Sequence, residues 1–175
     1  MRQEDKITEK SSLYHHLESK SVGELLEDIN REDHKVADAV KEALPQIEAL
    51  VVEAEKRMKR GGRVFYIGAG TSGRLGVLDA SELPPTFGVP STLVSGLIAG
   101  GDTALRNAVE NAEDMTAQGW ADLQKFEPTA DDTLIGIAAS GTTPYVIGAI
   151  REARAHHMLT GCITSNPSTP WARNS

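Results

Sequence analysis

From Gly61-Gly62 onward the sequence alternates short apolar runs with longer stretches of helical spacing, and this alternation constrains the fold more than any other feature. The strand candidates are Arg63–Ile67, Thr92–Ser95, Thr133–Ala138 and Leu159–Thr164, with helical stretches near 72–82, 103–124 and 143–156. Short apolar strands separated by helices need cover on both faces, so the expected class is α/β, a doubly wound parallel sheet. A helical segment precedes it. Ser21-x-x-Glu24 has capping-box form, and Val22, Leu25, Leu26 and Ile29 follow at i, i+3, i+4 and i+7. Val36, Ala39, Val40, Ala43 and Leu44 keep the spacing. Pro45 is expected to break that helix and open another carrying Ile47, Val51, Ala54 and Met58. The chain thus divides into a polar arm and helices over 1–61 and a sheet domain over 62–175, with the first 20 residues expected to be loosely held unless a partner subunit orders them.

Composition excludes several classes. With 39% apolar and 25% charged residues the chain can bury a core. Eighteen Lys and Arg against 25 Asp and Glu leave a formal charge of -7, no basic cluster forms a nucleic-acid footprint, and aromatics are only 5%. The opening MRQEDKITEK is too charged for a signal-peptide core, and no apolar run is long enough to span a membrane. The lone Cys162 precludes an internal disulfide framework, fits a reducing cytoplasm, and in its apolar run reads as a buried structural thiol rather than a nucleophile. His15-His16 and His156-His157 are adjacent pairs that do not face together on a helix. No metal-ligand spacing surrounds them, so both are expected on the surface and no metal is expected.

The stretch "IGAGTSGRLG" (67–76) follows the first strand, and Gly68, Gly70 and Gly73 spell G-x-G-x-x-G. A dinucleotide site also needs an acid about 20 residues on, at the end of the second strand. That strand is expected to stop at Ser95 with no carboxylate, and no Walker-type loop suggests ATP. A second loop, Ala138-Ala-Ser-Gly-Thr-Thr-Pro144, follows the third strand. Ser72, Thr142 or Thr143 could simply cap helices. Two hydroxyl- and glycine-rich loops at the carboxyl ends of parallel strands can instead converge on one anion, which favours phosphate binding even in an acidic chain. The residues concerned are Gly70, Thr71, Ser72, Ser140, Gly141, Thr142 and Thr143.

This arrangement resembles the sugar isomerase (SIS) domain, in which such loops hold the phosphate of a phosphosugar. It is closer still to the bacterial N-acetylmuramic acid 6-phosphate etherases. "GAGTSGRLGVLDASELPPTFG" (68–88), "GLIAGGDTALRNAVENAED" (96–114), "GIAASGTTPYV" (136–146) and the opening "ITEKSS" (7–12) are similar to that family's signatures, and the likeness runs from about residue 6 to residue 167. The resemblance implies a cytoplasmic, homodimeric carbon–oxygen lyase of amino-sugar catabolism, acting without a metal or redox cofactor on a phosphorylated amino sugar. Glu82 would be the general acid and Glu113 a second active-site carboxylate. A phosphosugar-binding regulatory protein, similar to glucokinase regulatory protein, and a phosphosugar isomerase are the alternatives.

The residues themselves bear on both carboxylates. Pro84-Pro85 are expected to end the helix at Glu82, where the negative end of the macrodipole favours a protonated carboxyl. Alone, Glu82 reads better as a solvated helix-end residue, and only the resemblance of the surrounding block reverses that. If Leu105, Ala108, Val109 and Ala112 form the buried stripe of one helix, Glu113 flanks it, Glu110 lies farther round and Asp114 faces away. A boundary residue in a surface ion pair is the other reading of Glu113. The family's pattern continues past the fourth strand, whereas "SNPSTPWARNS" keeps Asn166-Pro167 and then loses likeness. The expectation is therefore the N-terminal part of an etherase, its sheet incomplete, marginally stable, prone to association and inactive alone. With no acid ending the second strand, no nicotinamide cofactor is expected at Gly68–Gly73. Saturable binding of NAD or NADP at micromolar concentration in equilibrium dialysis would overturn that.

Overall fold

A computed structural model describes residues 7–166. Pro167 and the divergent tail lie outside the described residues. Helix α1, Val22–Met58, starts at the expected capping box: Glu24 N donates to Ser21 Oγ at 3.3 Å and Ser21 N donates to Glu24 Oε2 at 2.8 Å. It does not break at Pro45, which lies inside one helix of 37 residues. Proline removes one N–H and crowds the carbonyl four residues back. Here that carbonyl, on Lys41, sits on an exposed turn where solvent can satisfy it, and good helix formers flank the proline on both sides. The far end of α1 is anchored. Leu50 lies so close to Gly161 that a Cβ there would stand 2.5 Å from Leu50 Cδ2, and Arg57 donates to the carbonyls of Ala130 and His157.

The arm before α1 is tied down rather than loose over its described part. Tyr14 Oη donates to Glu32 Oε1 at 2.6 Å, Lys20 pairs with Asp28, and Ile7 N donates to Asn166 Oδ1 at 2.6 Å.

Four parallel strands, β1 (Val64–Gly68), β2 (Val94–Ile98), β3 (Thr133–Ile137) and β4 (Leu159–Ile163), lie in the order β2-β1-β3-β4. The second begins two residues later than expected and runs on through Gly96, Leu97 and Ile98, the last two buried. It therefore does not end at Ser95. Asp102, beyond Gly100-Gly101, is the first acid after it.

Side chains alternate between two cores, as a doubly wound sheet requires. Phe65, Ile67, Leu97 and Leu134 point toward α4 (Gln118–Gln124) and α5 (Pro144–Ala155), where Leu123, Tyr145, Val146 and Ala149 are fully buried. Val64, Tyr66, Val94 and Ile135 face α2 (Gly70–Phe87), against Ala80 and Leu83. Cys162 is half-buried in β4, and burial pushes its thiol up.

Two further helical expectations fail. Helix α2 does not stop at Glu82: Pro84 and Pro85 lie inside it, and Gly88 in the left-handed region closes it by donating to the Pro84 carbonyl at 2.9 Å. The stretch 103–124 is not one helix. A single turn, α3 (Thr103–Arg106), gives way to extended Asn107, left-handed Asn111 (φ 59°) and a 3-10 turn at Ala112–Asp114 before α4 begins. Asparagine adopts such conformations more readily than other side-chain-bearing residues, and here that overrides the apolar spacing. Ala108 and Val109 of the supposed buried stripe are exposed.

The amino-terminal edge of the sheet is closed by a buried carboxylate. Asp132, 1% exposed, accepts from Arg63 N (2.7 Å), Arg63 Nη2 (2.8 Å) and Thr129 N (2.7 Å). Burial alone would raise this carboxyl, but the hydrogen bonds from Arg63 and Thr129 outweigh it and hold it below its ordinary value. Breaking a buried pair from one side is expected to cost about 3–5 kcal/mol, so Asp132→Ala should show that loss in urea denaturation near neutral pH. Because the folded carboxyl titrates below its unfolded value of about 3.9, its contribution is complete above that pH and is lost as pH falls through the folded pKa. The variant should consequently show a shallower acid limb than the parent. An unchanged urea midpoint would refute the assignment.

Candidate functional site

Strand order decides where a ligand can sit. From β1 the chain crosses to β2 on one side, and then returns to β3 on the other, so the topology reverses between β1 and β3. In open α/β sheets that reversal opens a crevice at the carboxyl ends of the two strands. Gly68 is in register with Ile137, so the two hydroxyl-rich loops leave neighbouring strands at the same level.

The first loop is short. Ala69 is extended, Gly70 takes φ +54°, and α2 begins at once, with Thr71 and Ser72 in its first turn. A side chain at Gly70 would meet nothing within 4 Å, so the left-handed backbone, not space, is what favours glycine there. No side chain caps α2, and its first turn holds no acid. The first backbone N–H groups of α2 therefore open toward the crevice with the positive end of the helix behind them.

In the second loop Gly141 takes φ +67° and donates to the Ala138 carbonyl at 3.0 Å. Ser140 Oγ accepts from both Thr142 N and Thr142 Oγ1 at 3.2 Å. Thr143 stands at the N-cap position of α5 without a side-chain cap bond, and Pro144 opens the helix. Neither Ser72 nor Thr143 acts as a side-chain helix cap.

The carboxylates stand elsewhere. Glu82 is exposed in the middle of α2, well before its end at Phe87, so the macrodipole argument for its protonation does not apply. It shares the outer face of α2 with Thr71, Leu75 and Leu78, about 16 Å along the axis from Thr71. Glu113 is exposed in the 3-10 turn rather than on a helix flank. The two loops leave adjacent strands at the same level, Glu82 stands more than two helical turns down α2 from the first loop, and the 3-10 turn carrying Glu113 packs against α5.

An open groove of about 390 Å³ runs along that outer face, lined by Thr71, Arg74, Leu75, Leu78 and Leu105. Arg74 went unnoticed in the sequence. Its Nε donates to the Leu105 carbonyl at 3.0 Å, and it is the one cation in the first two turns of α2, which is the signal that could have found it. Among the described residues no three His, Cys, Asp or Glu side chains gather as a metal cluster. His156 packs its ring 4.5 Å from that of Trp120.

A four-stranded parallel sheet with glycine- and hydroxyl-rich loops at its switch point defines an SIS-type α/β domain. Solved structures of similar fold include phosphoheptose isomerases from Neisseria gonorrhoeae (TM-score 0.57, 22% identity, covering 80% of this chain and 74% of that one) and Francisella tularensis (TM-score 0.58, 24% identity, 79% and 74%). Residues 44–154 match the glucokinase regulatory protein N-terminal SIS domain, and the chain belongs to that family. Curated relatives named N-acetylmuramic acid 6-phosphate etherase occur in Bacteroides thetaiotaomicron (70% identical over 167 residues, 95% of this chain and 60% of the relative), Porphyromonas gingivalis (66% over 168, 96% and 61%) and Christiangramia forsetii (60% over 175, 100% and 64%). The chain spans about three-fifths of the length of these relatives.

If the two loops hold a phosphate, replacing Ser72 or Ser140 by Ala should each weaken hexosamine 6-phosphate binding by about 1.5–3 kcal/mol, the worth of a hydrogen bond to a charged group. Calorimetry on folded variants measures it, and unchanged affinity in both would remove the loops from the site.

Proposed function

We propose that this chain carries the phosphate-binding part of a carbon–oxygen lyase that cleaves the D-lactyl ether of N-acetylmuramic acid 6-phosphate. The products are N-acetylglucosamine 6-phosphate and D-lactate. The observation that carries this reading is 70% identity across 95% of the chain to a relative bearing that name. The converging loops at the β1/β3 crevice support it by supplying backbone N–H groups and hydroxyls suited to a phosphate.

The ether oxygen is a poor leaving group, so elimination is the workable chemistry. With the sugar open as an aldehyde, a base takes the proton at carbon 2, and the electron pair forms a carbon 2–carbon 3 double bond. The carbon 3–oxygen bond breaks and lactate leaves with a proton from an acid. Water then returns a hydroxyl to carbon 3 and a proton to carbon 2. Two carboxylates suffice for this traffic. In this reading Glu82 donates to the leaving oxygen, and Glu113 serves as base or positions the water. Gly70, Thr71, Ser72, Ser140, Gly141, Thr142 and Thr143 hold the phosphate.

A homodimer fits this reading: Glu82 stands about 16 Å along α2 from Thr71, so it would meet the loops of a second copy more readily than those of its own chain. Exposed apolar side chains on both helices that face outward support such pairing: Leu75, Leu78 and Phe87 on α2, and Leu26, Ile29, Val36 and Val40 on α1. A cytoplasmic place in the recycling of cell-wall amino sugars completes the proposal. It accords with the single cysteine, and no helix among the described residues is long and apolar enough to cross a membrane.

The test uses a protein of the relatives' full length carrying this chain. Glu82→Gln should lower lactate release by about 10²–10⁴-fold while leaving KM near its parental value, with Glu110→Gln nearly silent. Co-expressing Glu82→Gln with a Ser72→Ala/Ser140→Ala double variant, each inactive alone, should restore about a quarter of parental activity through mixed dimers. Normal lactate release by Glu82→Gln would remove it as the acid. No restoration in mixed dimers would return Glu82 to its own chain and defeat the shared site.

A further inference from the structure

Asn166 is 1% exposed, and its amide is saturated from two directions. On one side Oδ1 accepts from Ile7 N at 2.6 Å and Thr8 N at 3.4 Å, and Nδ2 donates to Thr8 Oγ1 at 3.1 Å. On the other, Nδ2 donates to the Ser140 carbonyl at 3.0 Å and the Ala139 carbonyl at 3.4 Å. One buried side chain therefore joins the 3-10 turn Ile7–Glu9 to the second hydroxyl-rich loop, across almost the whole described chain.

The contact controls more than cohesion. The Ala139 carbonyl also accepts from Ser165 N at 3.0 Å and Thr164 Oγ1 at 3.2 Å, so it is turned firmly toward the end of β4. A peptide group is planar and trans, so the N–H of Ser140, in the same plane, points the opposite way. The Ser140 carbonyl, held by Asn166, fixes the next peptide, whose N–H, on Gly141, closes the turn by donating to the Ala138 carbonyl. Asn166 thereby sets the direction of the Ser140 N–H and holds the turn that presents the Ser140–Thr143 hydroxyls, without reaching an anion itself.

We propose that Asn166 is a positioning residue for the Ser140–Thr143 loop, and that the N-terminal segment Ile7–Glu9 is its counterweight, so that arm and loop order each other. This rests on the reading that the loop holds the phosphate of a phosphosugar. Ligand at the loop stiffens the arm, and loss of the arm's grip loosens the loop, as coupling between two sites requires.

Two substitutions cut the two halves of the contact separately. Asn166→Asp keeps the acceptor for Ile7 N and replaces the donor facing Ser140 and Ala139 with an oxygen. Thr8→Val removes the hydroxyl on the arm at an exposed position and leaves Asn166 and the loop intact. Calorimetry with N-acetylglucosamine 6-phosphate on the 175-residue chain should show affinity falling roughly tenfold in Asn166→Asp and roughly threefold in Thr8→Val. Amide exchange at Gly141 should quicken in both, and ligand should slow exchange at Ile7 and Thr8 in the parent but not in Asn166→Asp. If Asn166→Asp does not fold, Thr8→Val decides alone. A parent that binds no phosphosugar sinks the phosphate-loop reading and this proposal with it. A parent that binds, with Thr8→Val unchanged in both affinity and Gly141 exchange, sinks the coupling and leaves the phosphate loop standing.

Discussion

A Cβ added at Gly68 would stand 2.7 Å from the nitrogen of Gly73, and one at Gly73 would stand 2.6 Å from Cγ1 of Ile98. The first turn of α2 therefore lies in backbone contact with the end of β1, with no side chain between them. The approach continues along the helix, where a Cβ at Gly76 would meet Tyr66 at 2.8 Å and one at Gly96 would meet the backbone of Val77 at 2.6 Å. Two consequences follow from this closeness. It delivers the unpaired N–H groups of the α2 start to the mouth of the crevice. It also reverses the usual amphipathic arrangement, because small residues must face the sheet. Gly73, Gly76 and Ala80 fill the inner face of α2, while Leu75 and Leu78 stand outside, 55% and 57% exposed. An outward leucine row on such a helix is a by-product of tight packing inside and a ready surface for association outside.

The same closeness explains why some of the fold was legible in sequence and some was not. Apolar runs located all four strands, with β2 displaced by two or three residues, and Ser21-x-x-Glu24 located the start of α1, because each is a local signal with a local cause. Pro45, Pro84 and Pro85 misled because proline disfavours a helix interior without forbidding it. In α1 the affected turn is exposed. In α2 the last turn is held by Gly88 behind it and Leu83 against the sheet. The stretch 103–124 misled in the opposite sense: its apolar spacing was genuine, but Asn107 and Asn111 redirect the backbone. The placing of Glu113 depended on that helix, and the account of Glu82 depended on a helix end that lies elsewhere. The two loops lie between strand and helix as the sequence placed them, because glycine and hydroxyls mark such turns without any knowledge of long-range packing.

The two ends of the sheet are built on different chemistry. At the amino-terminal edge Arg63 and Asp132 form a buried, many-bonded pair, and Arg60 meets Asp131 at 2.6 Å beside it. At the carboxyl edge the first turns of α2 and α5 contain no acid, although the chain carries a net charge of -7. In a chain with this excess of carboxylates, two adjacent helix starts free of acids are the place where the proposed phosphate would meet least repulsion.

The two helix starts are neighbours only because β3 lies beside β1. Adjacent strands are about 4.8 Å apart, and Gly68 is level with Ile137, so loops leaving the two strands start within reach of a single tetrahedral phosphate. Had the sheet been wound in sequence order, β2 would separate them and the same residues would form two distant helix starts. Strand order is a property of non-local pairing, and no spacing in the sequence encodes it directly. The glycine motifs thus mark each strand-to-helix loop, and the crossover from β2 back past β1 determines that the two loops are neighbours.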